Sequence, residues 1–490
     1  MLSRLLLLSL GLSRRCYAFT QYTLENLSID AIADHTQMFQ DLSPESRSVG
    51  TTSYNDTVEY VRQMLENSGY TTSLNCFQAR VCKFGDNSTL AAVYGDYDTT
   101  GTISTSSKKE YKEESDFTVF TYSGSGFATA LGEAVPSLGC DASNFSDFTT
   151  GNVAIISRGV CTFDTKATLA RDAGAVGIVI FQPPEREQDD LMRGTLGDEI
   201  EPFPIPTFFT TFNTSQELVG EYVSMFANVT KRKLHDCNVL AETQGDDKVI
   251  IVGSHLDSVP AGAGINDNGS GSAALLEIAI QMASVPTSHK VRFAWFGAEE
   301  IGLKGSRAYV ESLTEEDAKN IVMYLNMDMI GSPNFARFLM NDQTVPGDMN
   351  ITAAFEEYFH HKNLTTESMP PHGGCRSDHC FFQKVGIPTG GIFTGAEGNK
   401  TEDQALKFGG QAGAPYDPCY HQACDTIKNV NFPVLEENAH AYAHVLLTFA
   451  NMDTFEFPPL PEVVEQTEDI SFGGGIDILN SEWEGDYLVM

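Results

Sequence analysis

Short apolar runs alternate with amphipathic stretches in the second half of the chain. Three runs rich in β-branched and aromatic residues predict strands at residues 248–253, 290–297 and 320–327. Apolar residues at helical spacing follow the first two runs and predict helices at 272–283 and 305–313. Because buried strands that alternate with helices form parallel sheets covered on both faces, we expect an α/β fold with a mainly parallel mixed sheet flanked by helices.

The N-terminal part of the chain carries a weaker pattern. Residues 56–68 place apolar side chains along one stripe and predict a helix that ends at Gly69. A strand is expected at 71–78. Residues 85–115 are rich in Ser, Thr, Gly and Lys with little periodicity, which is typical of a boundary between domains.

The pattern of predicted strands and helices changes between about residue 116 and residue 236. Within it, a strand at 153–157, a helix at 163–173 and a strand at 175–181 form a compact βαβ pattern. We therefore expect these residues to form a smaller domain of their own, of the α+β class and rich in strands.

The length of the chain also favours several domains, because single hydrophobic cores rarely grow beyond about 250–300 residues. The expected division is a signal peptide at 1–18, the first part of the main domain at 19–115, the smaller domain at 116–236, the rest of the main domain at 237–455 and an acidic tail at 456–490. The tail contains nine acidic residues and no Lys or Arg, so we expect it to be disordered.

The formal net charge of −35 argues against a nucleic-acid partner, since binding to phosphates requires basic patches. It also argues against a role at an acidic membrane surface. Apart from the N-terminus, no run is long and apolar enough to predict a membrane span.

The first residues are typical of a secretion signal. An apolar stretch at 5–12 follows an early arginine, and small residues near Ala18 suit cleavage after that position. Arg14 and Arg15 also fit a mitochondrial presequence, which stays open as the rival interpretation. Many Asn-x-Ser/Thr sequons favour a glycoprotein that is secreted or enters a vacuolar or lysosomal lumen. They include Asn26, Asn55, Asn87, Asn144, Asn213, Asn228, Asn350, Asn363 and Asn399.

The ten cysteines predict disulfides in an oxidising compartment, with Cys16 removed together with the signal peptide. The pairs expected from close spacing are Cys76/Cys82, Cys140/Cys161, Cys375/Cys380 and Cys419/Cys424. Cys237 is left over, so either it is a free thiol or one of these pairs is wrong.

Polar residues that can bind metals follow all three predicted strands of the main domain. They are His255, Asp257 and Asp267 after the first strand, Glu299 and Glu300 after the second, and Asp328 after the third. Parallel strands end at one edge of a sheet, so these side chains can converge there. Taken singly, each is typical of a surface position or a helix cap, but three consecutive strand ends with imidazole and carboxylate groups favour a zinc site.

Six segments occur in this order: GSHLDSV, GINDNGSG, WFGAEEIGLKGS, LNMDMIG, RSDHCFF and CYHQACDT. Together they resemble the di-zinc aminopeptidases of the aminopeptidase Y and bacterial leucine aminopeptidase type. Residues 116–236 resemble the protease-associated domain that is often inserted in these enzymes. The resemblance implies a zinc exopeptidase fold with a smaller inserted domain.

The resemblance also implies two zinc ions as cofactors and assigns their ligands. One zinc would be bound by His255 and Asp328. The other would be bound by Glu300 and His421, and Asp267 would bridge the two. All five expected ligands are present in the sequence.

Further roles follow from the same resemblance. Glu299 would be the general base, and Asp257 would accept the far N–H of His255. Tyr420 would help to stabilise the oxyanion. The peptide bond that follows Asp267 would be cis.

The implied function is removal of N-terminal residues from peptides with a free N-terminus, by a monomer. A di-zinc carboxypeptidase or dipeptidase is the alternative, because such enzymes share the metal core and the inserted domain. A non-catalytic, receptor-like relative is a third hypothesis, which the complete ligand set disfavours.

Overall fold

The computed structural model of the protein describes residues 26–85, 87–97, 103–184, 191–192, 194–196, 203–340, 343–369, 376–455 and 457. The predicted signal peptide at 1–18 and nearly all of the predicted tail at 456–490 lie outside these residues. The described part forms two compact units. The first unit comprises the residues up to 79 and those from 235 onward, and the second comprises residues 80–234.

The helices follow one another along the chain as α1 (Ile29–Leu42), α2 (Thr52–Asn67), α3 (Phe163–Asp172), α4 (Phe212–Leu218), α5 (Gly271–Met282), α6 (Lys304–Glu311), α7 (Glu315–Asn320), α8 (Asp348–His361), α9 (His379–Lys384), α10 (Glu402–Phe408) and α11 (Phe432–Ala450). None of these described helices is both long and apolar enough to cross a membrane.

The strands are β1 (Thr72–Phe84), β2 (Thr89–Tyr97), β3 (Ile103–Tyr111), β4 (Phe117–Val119), β5 (Gly126–Ala134), β6 (Val153–Ser157), β7 (Gly177–Phe181), β8 (Thr207–Thr210), β9 (Tyr222–Ala227), β10 (Val229–Glu242), β11 (Val249–His255), β12 (Lys290–Phe296), β13 (Ile321–Met327), β14 (Phe338–Leu339), β15 (Glu367–Ser368) and β16 (Thr389–Phe393). They form two mixed sheets.

The sheet of the first unit has the order β1-β10-β12-β11-β13-β16-β14-β15. Its centre, β12-β11-β13-β16, is parallel, whereas β10 and β14 run antiparallel to their neighbours β12 and β16. Every residue of β11 is buried, as the continuous apolar run predicts, because α5 and α11 pack against this strand. The predicted mainly parallel mixed sheet flanked by helices is therefore confirmed.

The sheet of the second unit has the order β3-β2-β9-β5-β6-β7-β8-β4. The predicted βαβ pattern is present as β6, α3 and β7, and the two strands pair in parallel. This unit is rich in strands, as expected.

The region at 85–115 differs from the expectation of an unpatterned boundary. It contains β2 and β3, which pair with each other, and β2 also pairs with β9 of the second sheet. The second unit therefore begins at residue 80 rather than at 116. The pattern was hidden because β3 is an edge strand of mostly polar residues, which needs no apolar alternation.

The disulfides correct one expected pair. Cys140 is bonded to Cys161 and Cys419 to Cys424, as their spacing predicts. Cys76 is bonded to Cys237 instead of Cys82, which is a free thiol. Cys76 and Cys82 lie six positions apart on the extended strand β1, so they are about 20 Å apart and cannot bond. The pair Cys375/Cys380 stays a prediction, because residue 375 lies outside the described part.

A buried histidine in the first unit gives a prediction about acid stability. His444 lies on α11 with its ring centroid 5.1 Å from that of Tyr358. Burial, followed by the charges of Lys362 and His361, lowers the pKa of His444 to about 4. An unfolded chain protonates this residue near its ordinary value of 6.5, so the unfolded state binds more protons between pH 6.5 and 4. Stability conferred by His444 is therefore complete above pH 6.5 and is lost as the pH falls towards 4.

We expect the native chain to lose about 2 kcal/mol more unfolding free energy than His444→Phe between pH 7.5 and 5. Urea unfolding at both pH values, followed by the fluorescence of Trp295 in the first unit, measures this difference. His360→Phe, at an exposed position of α8, is the control and should behave like the native chain. An equal pH dependence in the native chain and His444→Phe would contradict the prediction.

Candidate metal centre

The ends of three parallel strands place candidate ligands at one edge of the first sheet. His255 is the last residue of β11 and pairs in register with Phe296, the last residue of β12. Glu299 follows β12 after a two-residue turn, and Asp328 directly follows β13. The convergence expected from the sequence is therefore present, since these strands run in the same direction.

The loop after β11 brings in Asp267, whose side chain is 6% exposed. The peptide bond between Asp267 and Asn268 is cis. Upstream, Gly264 has a φ of 61°, and a Cβ there would lie 2.4 Å from the backbone oxygen of Asp267. Only glycine fits this position, which allows the loop to fold back tightly beside the strand end.

Asp267 lies between two histidines. Its Oδ1 is 3.2 Å from Nε2 of His255, and its Oδ2 is 3.1 Å from Nε2 of His421. Nε2 of His421 is also 3.1 Å from Oε2 of Glu300, and Nε2 of His255 is 3.3 Å from Oδ1 of Asp328. One carboxylate thus joins two imidazole–carboxylate groups, which is the arrangement that a bridging ligand requires.

The donor set fits metal cations. Oε1 of Glu300 and Oδ1 of Asp328 are buried, yet within the described residues neither accepts a hydrogen bond. Ligand atoms of His255, Asp267 and Glu300 lie within 4.8 Å of one another, as do those of His255, Glu299 and Asp328. Imidazole nitrogen and carboxylate oxygen are ligands that zinc accepts, and a buried carboxylate oxygen without a hydrogen bond is otherwise costly.

The electrostatics of the site also favour positive charge. Burial alone would lower the pKa of both imidazoles, but the carboxylates outweigh it. Glu299 and Asp328 raise the pKa of His255, and Glu300 and Asp267 raise that of His421 to about 11. A cluster that stabilises protonated histidines so strongly is one that attracts cations.

Asp257 contacts both His255 and the two adjacent glutamates. Nδ1 of His255 donates to the backbone oxygen of Asp257 at 3.2 Å, while the carboxylate Oδ1 lies 3.6 Å away. The carboxylate accepts the backbone N–H groups of Glu299 at 3.0 Å and Glu300 at 3.3 Å. Asp257 therefore faces Nδ1 of His255 with both its backbone oxygen and its carboxylate, and the carboxylate also holds the backbone of the adjacent glutamates.

Tyr420 and His421 lie on a short loop that the disulfide Cys419–Cys424 closes. Their rings stack with centroids 3.8 Å apart. Burial raises the pKa of Tyr420, so its phenol keeps its proton at neutral pH. The loop therefore presents one candidate ligand and one hydrogen-bond donor side by side.

The sequence analysis missed two residues that hold the ligands in place. Asp425 accepts the backbone N–H groups of Asn266 at 2.8 Å and Asp267 at 3.0 Å, which ties the disulfide loop to the bridging residue. Ser377 donates to Oδ2 of Asp328 at 2.7 Å. The signal for both was their position inside the segments CYHQACDT and RSDHCFF, beside residues already singled out.

Two family descriptions match this chain. Residues 238–446 match Peptidase family M28, and residues 128–218 match the PA domain. A protein named aminopeptidase from Pseudomonas aeruginosa is 39% identical over 426 residues, which cover 82% of this chain and 77% of the relative. Leucine aminopeptidase 2 from Trichophyton equinum is 33% identical over 456 residues, covering 88% and 86%.

Solved structures share the fold. An aminopeptidase from Aneurinibacillus sp. strain AM-1 superposes with a TM-score of 0.72 at 22% identity, covering 90% of this chain and 99% of that one. A zinc aminopeptidase from Bacillus subtilis gives a TM-score of 0.59 at 19% identity, covering 88% and 97%.

Proposed function

Because the chain belongs to peptidase family M28 and contains a PA domain, we propose that it is a zinc-dependent aminopeptidase with two metal ions. The observation that carries the proposal is the position of Asp267, with one carboxylate oxygen facing each of two histidines. Curated relatives named aminopeptidase and leucine aminopeptidase, which align over most of this chain, support the reaction.

The five candidate ligands divide into two groups around Asp267. His255 and Asp328 would hold one zinc, Glu300 and His421 would hold the other, and Asp267 would bridge them. Zinc ions held in this way supply a nucleophile by lowering the pKa of water, and they polarise the scissile carbonyl.

Glu299 is the proposed general base. It lies beside His255 and Asp328, and its backbone N–H is fixed by Asp257. Burial raises the pKa of Glu299, which suits a carboxylate that accepts a proton from the attacking water and passes it to the leaving amine.

Tyr420 is proposed to donate a hydrogen bond to the oxyanion. Its phenol keeps its proton because burial raises its pKa, and its ring is held against that of His421. A donor placed beside a ligand acts where negative charge develops in the transition state. The proposed substrate is a peptide bond that follows a free N-terminal residue, which the relatives named aminopeptidase and leucine aminopeptidase support.

We also propose that the protein is secreted or resides in a vacuolar or lysosomal lumen and acts as a monomer. The disulfides support an oxidising compartment, as do the signal-like first residues and the sequons. A mitochondrial destination remains the alternative.

The proposed activity is tested by determining which end of a peptide is cleaved. We expect a purified preparation to release the first residue from a free peptide and from its C-terminally amidated form. An N-acetylated version of the same peptide should remain intact, because the free amine is required. Mass spectrometry of timed digests identifies the released residue.

Controls separate this activity from its alternatives. EDTA should abolish release and added zinc should restore it, whereas a magnesium salt at equal concentration should not. Trimming of the acetylated peptide from its C-terminus would favour a carboxypeptidase instead. A chain that binds no zinc would point to a receptor-like protein.

A further inference from the structure

Arg47 lies between α1 and α2, far in sequence from every candidate ligand, and its side chain is completely buried. Buried guanidinium groups are normally paired with carboxylates. In the described part of the chain, however, Arg47 forms no ion pair. Its guanidinium donates instead to three backbone carbonyls of the metal loop, those of Leu256 at 2.8 Å, Ala263, and Gly264 at 2.7 Å.

These carbonyls lie near the two ends of the segment that separates His255 from Asp267. Leu256 directly follows His255, and Gly264 precedes Asp267 by three residues. The backbone N–H of Arg47 also donates to Oγ of Ser258 at 2.8 Å, inside the same segment. One arginine therefore bonds both ends and the middle of the segment between these two candidate ligands.

The positive charge of Arg47 does not by itself favour the binding of metal cations. Burial lowers the pKa of Arg47 to about 10, so the guanidinium is still protonated at neutral pH. Asp425, Asp257 and Asp267 are near enough to act on that pKa, so bound zinc ions would also feel the charge. Like charges repel, and the charge by itself therefore weakens metal binding. The planar fork of donors is what a lysine cannot supply.

We propose that Arg47 is a positioning residue that fixes the metal loop so that His255 and Asp267 can bind zinc together. The inference rests on the proposed function, since it assumes that these residues are zinc ligands. It adds a component from the N-terminal segment, outside the residues that match the peptidase family.

Zinc affinity of the full-length protein, measured without substrate, tests the proposal. Metal-free native protein, Arg47→Lys and Arg47→Met are titrated with zinc against a chelating dye at pH 7.5. We expect both variants to bind zinc about 10- to 100-fold more weakly than the native chain. Lysine keeps the charge and loses the fork, so its failure to rescue affinity identifies geometry as the cause.

Arg337→Lys is the matched control. Arg337 is also buried, with 3% of its surface exposed, but it donates to the backbone of Thr365 and to Glu437, neither of which is a candidate ligand. This variant should lose thermal stability without changing zinc affinity by more than about threefold.

Ser258→Ala keeps the test valid if the Arg47 variants do not fold. It removes only the hydroxyl that accepts from Arg47 and donates to the backbone of Gly262. We expect zinc affinity to fall about threefold to tenfold. Native zinc affinity in all of the Arg47 and Ser258 variants that fold would overturn the inference. Tighter zinc binding by Arg47→Met would also overturn it, because it would show that charge repulsion dominates. Absence of zinc binding by the native chain would instead overturn the proposed function.

Discussion

Glu299→Gln should lower kcat by about 100- to 10,000-fold while the bound zinc stays unchanged. The amide has the shape of the carboxylate but cannot accept the proton of the attacking water. Since Glu299 is proposed to act on the transition state, KM should change much less than kcat. Steady-state kinetics on a leucine amide substrate, together with elemental analysis of the same preparation, measure both quantities.

The zinc content makes this experiment decisive. Glu299 lies close enough to His255 and Asp328 to serve as a ligand itself, so a loss of zinc in Glu299→Gln would assign it that role. Full turnover with zinc bound would refute the base assignment. Glu311→Gln, at a partly exposed ion pair on α6, is the control and should match the native kinetics.

Asp267→Asn should abolish measurable activity and weaken the binding of both metals. A carboxylate offers two equivalent oxygens, and here each faces a different histidine. An amide offers only one oxygen and no charge, so at most one zinc keeps its full ligand set and both lose the negative charge between them. We expect zinc affinity to fall by more than the roughly 10- to 100-fold that is typical of residues that only support ligands.

Zinc retained after dialysis is the measurement for Asp267→Asn, and the thermal unfolding of metal-free protein is its control. The metal-free variant should still unfold in one cooperative transition, at a lower temperature than the metal-free native chain, because it keeps the volume but loses the ion pairs with His255 and His421. Asp246→Asn, whose carboxylate pairs with His289 away from the site, should retain both zinc ions. Retention of two zinc ions by Asp267→Asn would exclude a bridging role.

Much of the first unit could be predicted because its central strands are buried on both faces. Residues 249–253 are apolar without interruption, and β11 occupies nearly the same residues. Imidazole and carboxylate residues at the ends of consecutive parallel strands are also informative, because parallel strands end at one edge of the sheet and bring these side chains together there. His421 was assigned as a ligand only through the family resemblance, because it does not follow any of the predicted strands.

What the sequence could not provide were contacts between distant segments. Arg47 sits among ordinary polar residues, and nothing in their pattern indicates that its partners are carbonyls more than two hundred residues away. The partner of Cys76 depends on which strand lies beside β1, which local spacing does not encode. The polar strand β3 likewise acquires its structure from its neighbour β2 rather than from its own periodicity.

The bond between Cys76 and Cys237 has a consequence for covalent topology. It joins β1 and β10, the strands by which the chain leaves the first unit and returns to it, across a separation of 161 residues. A mechanical load applied at the two ends of the chain would pass from strand to strand through this bond and bypass the second unit. By the same geometry, a proteolytic cut anywhere in residues 80–234 would leave the first unit a single covalent molecule.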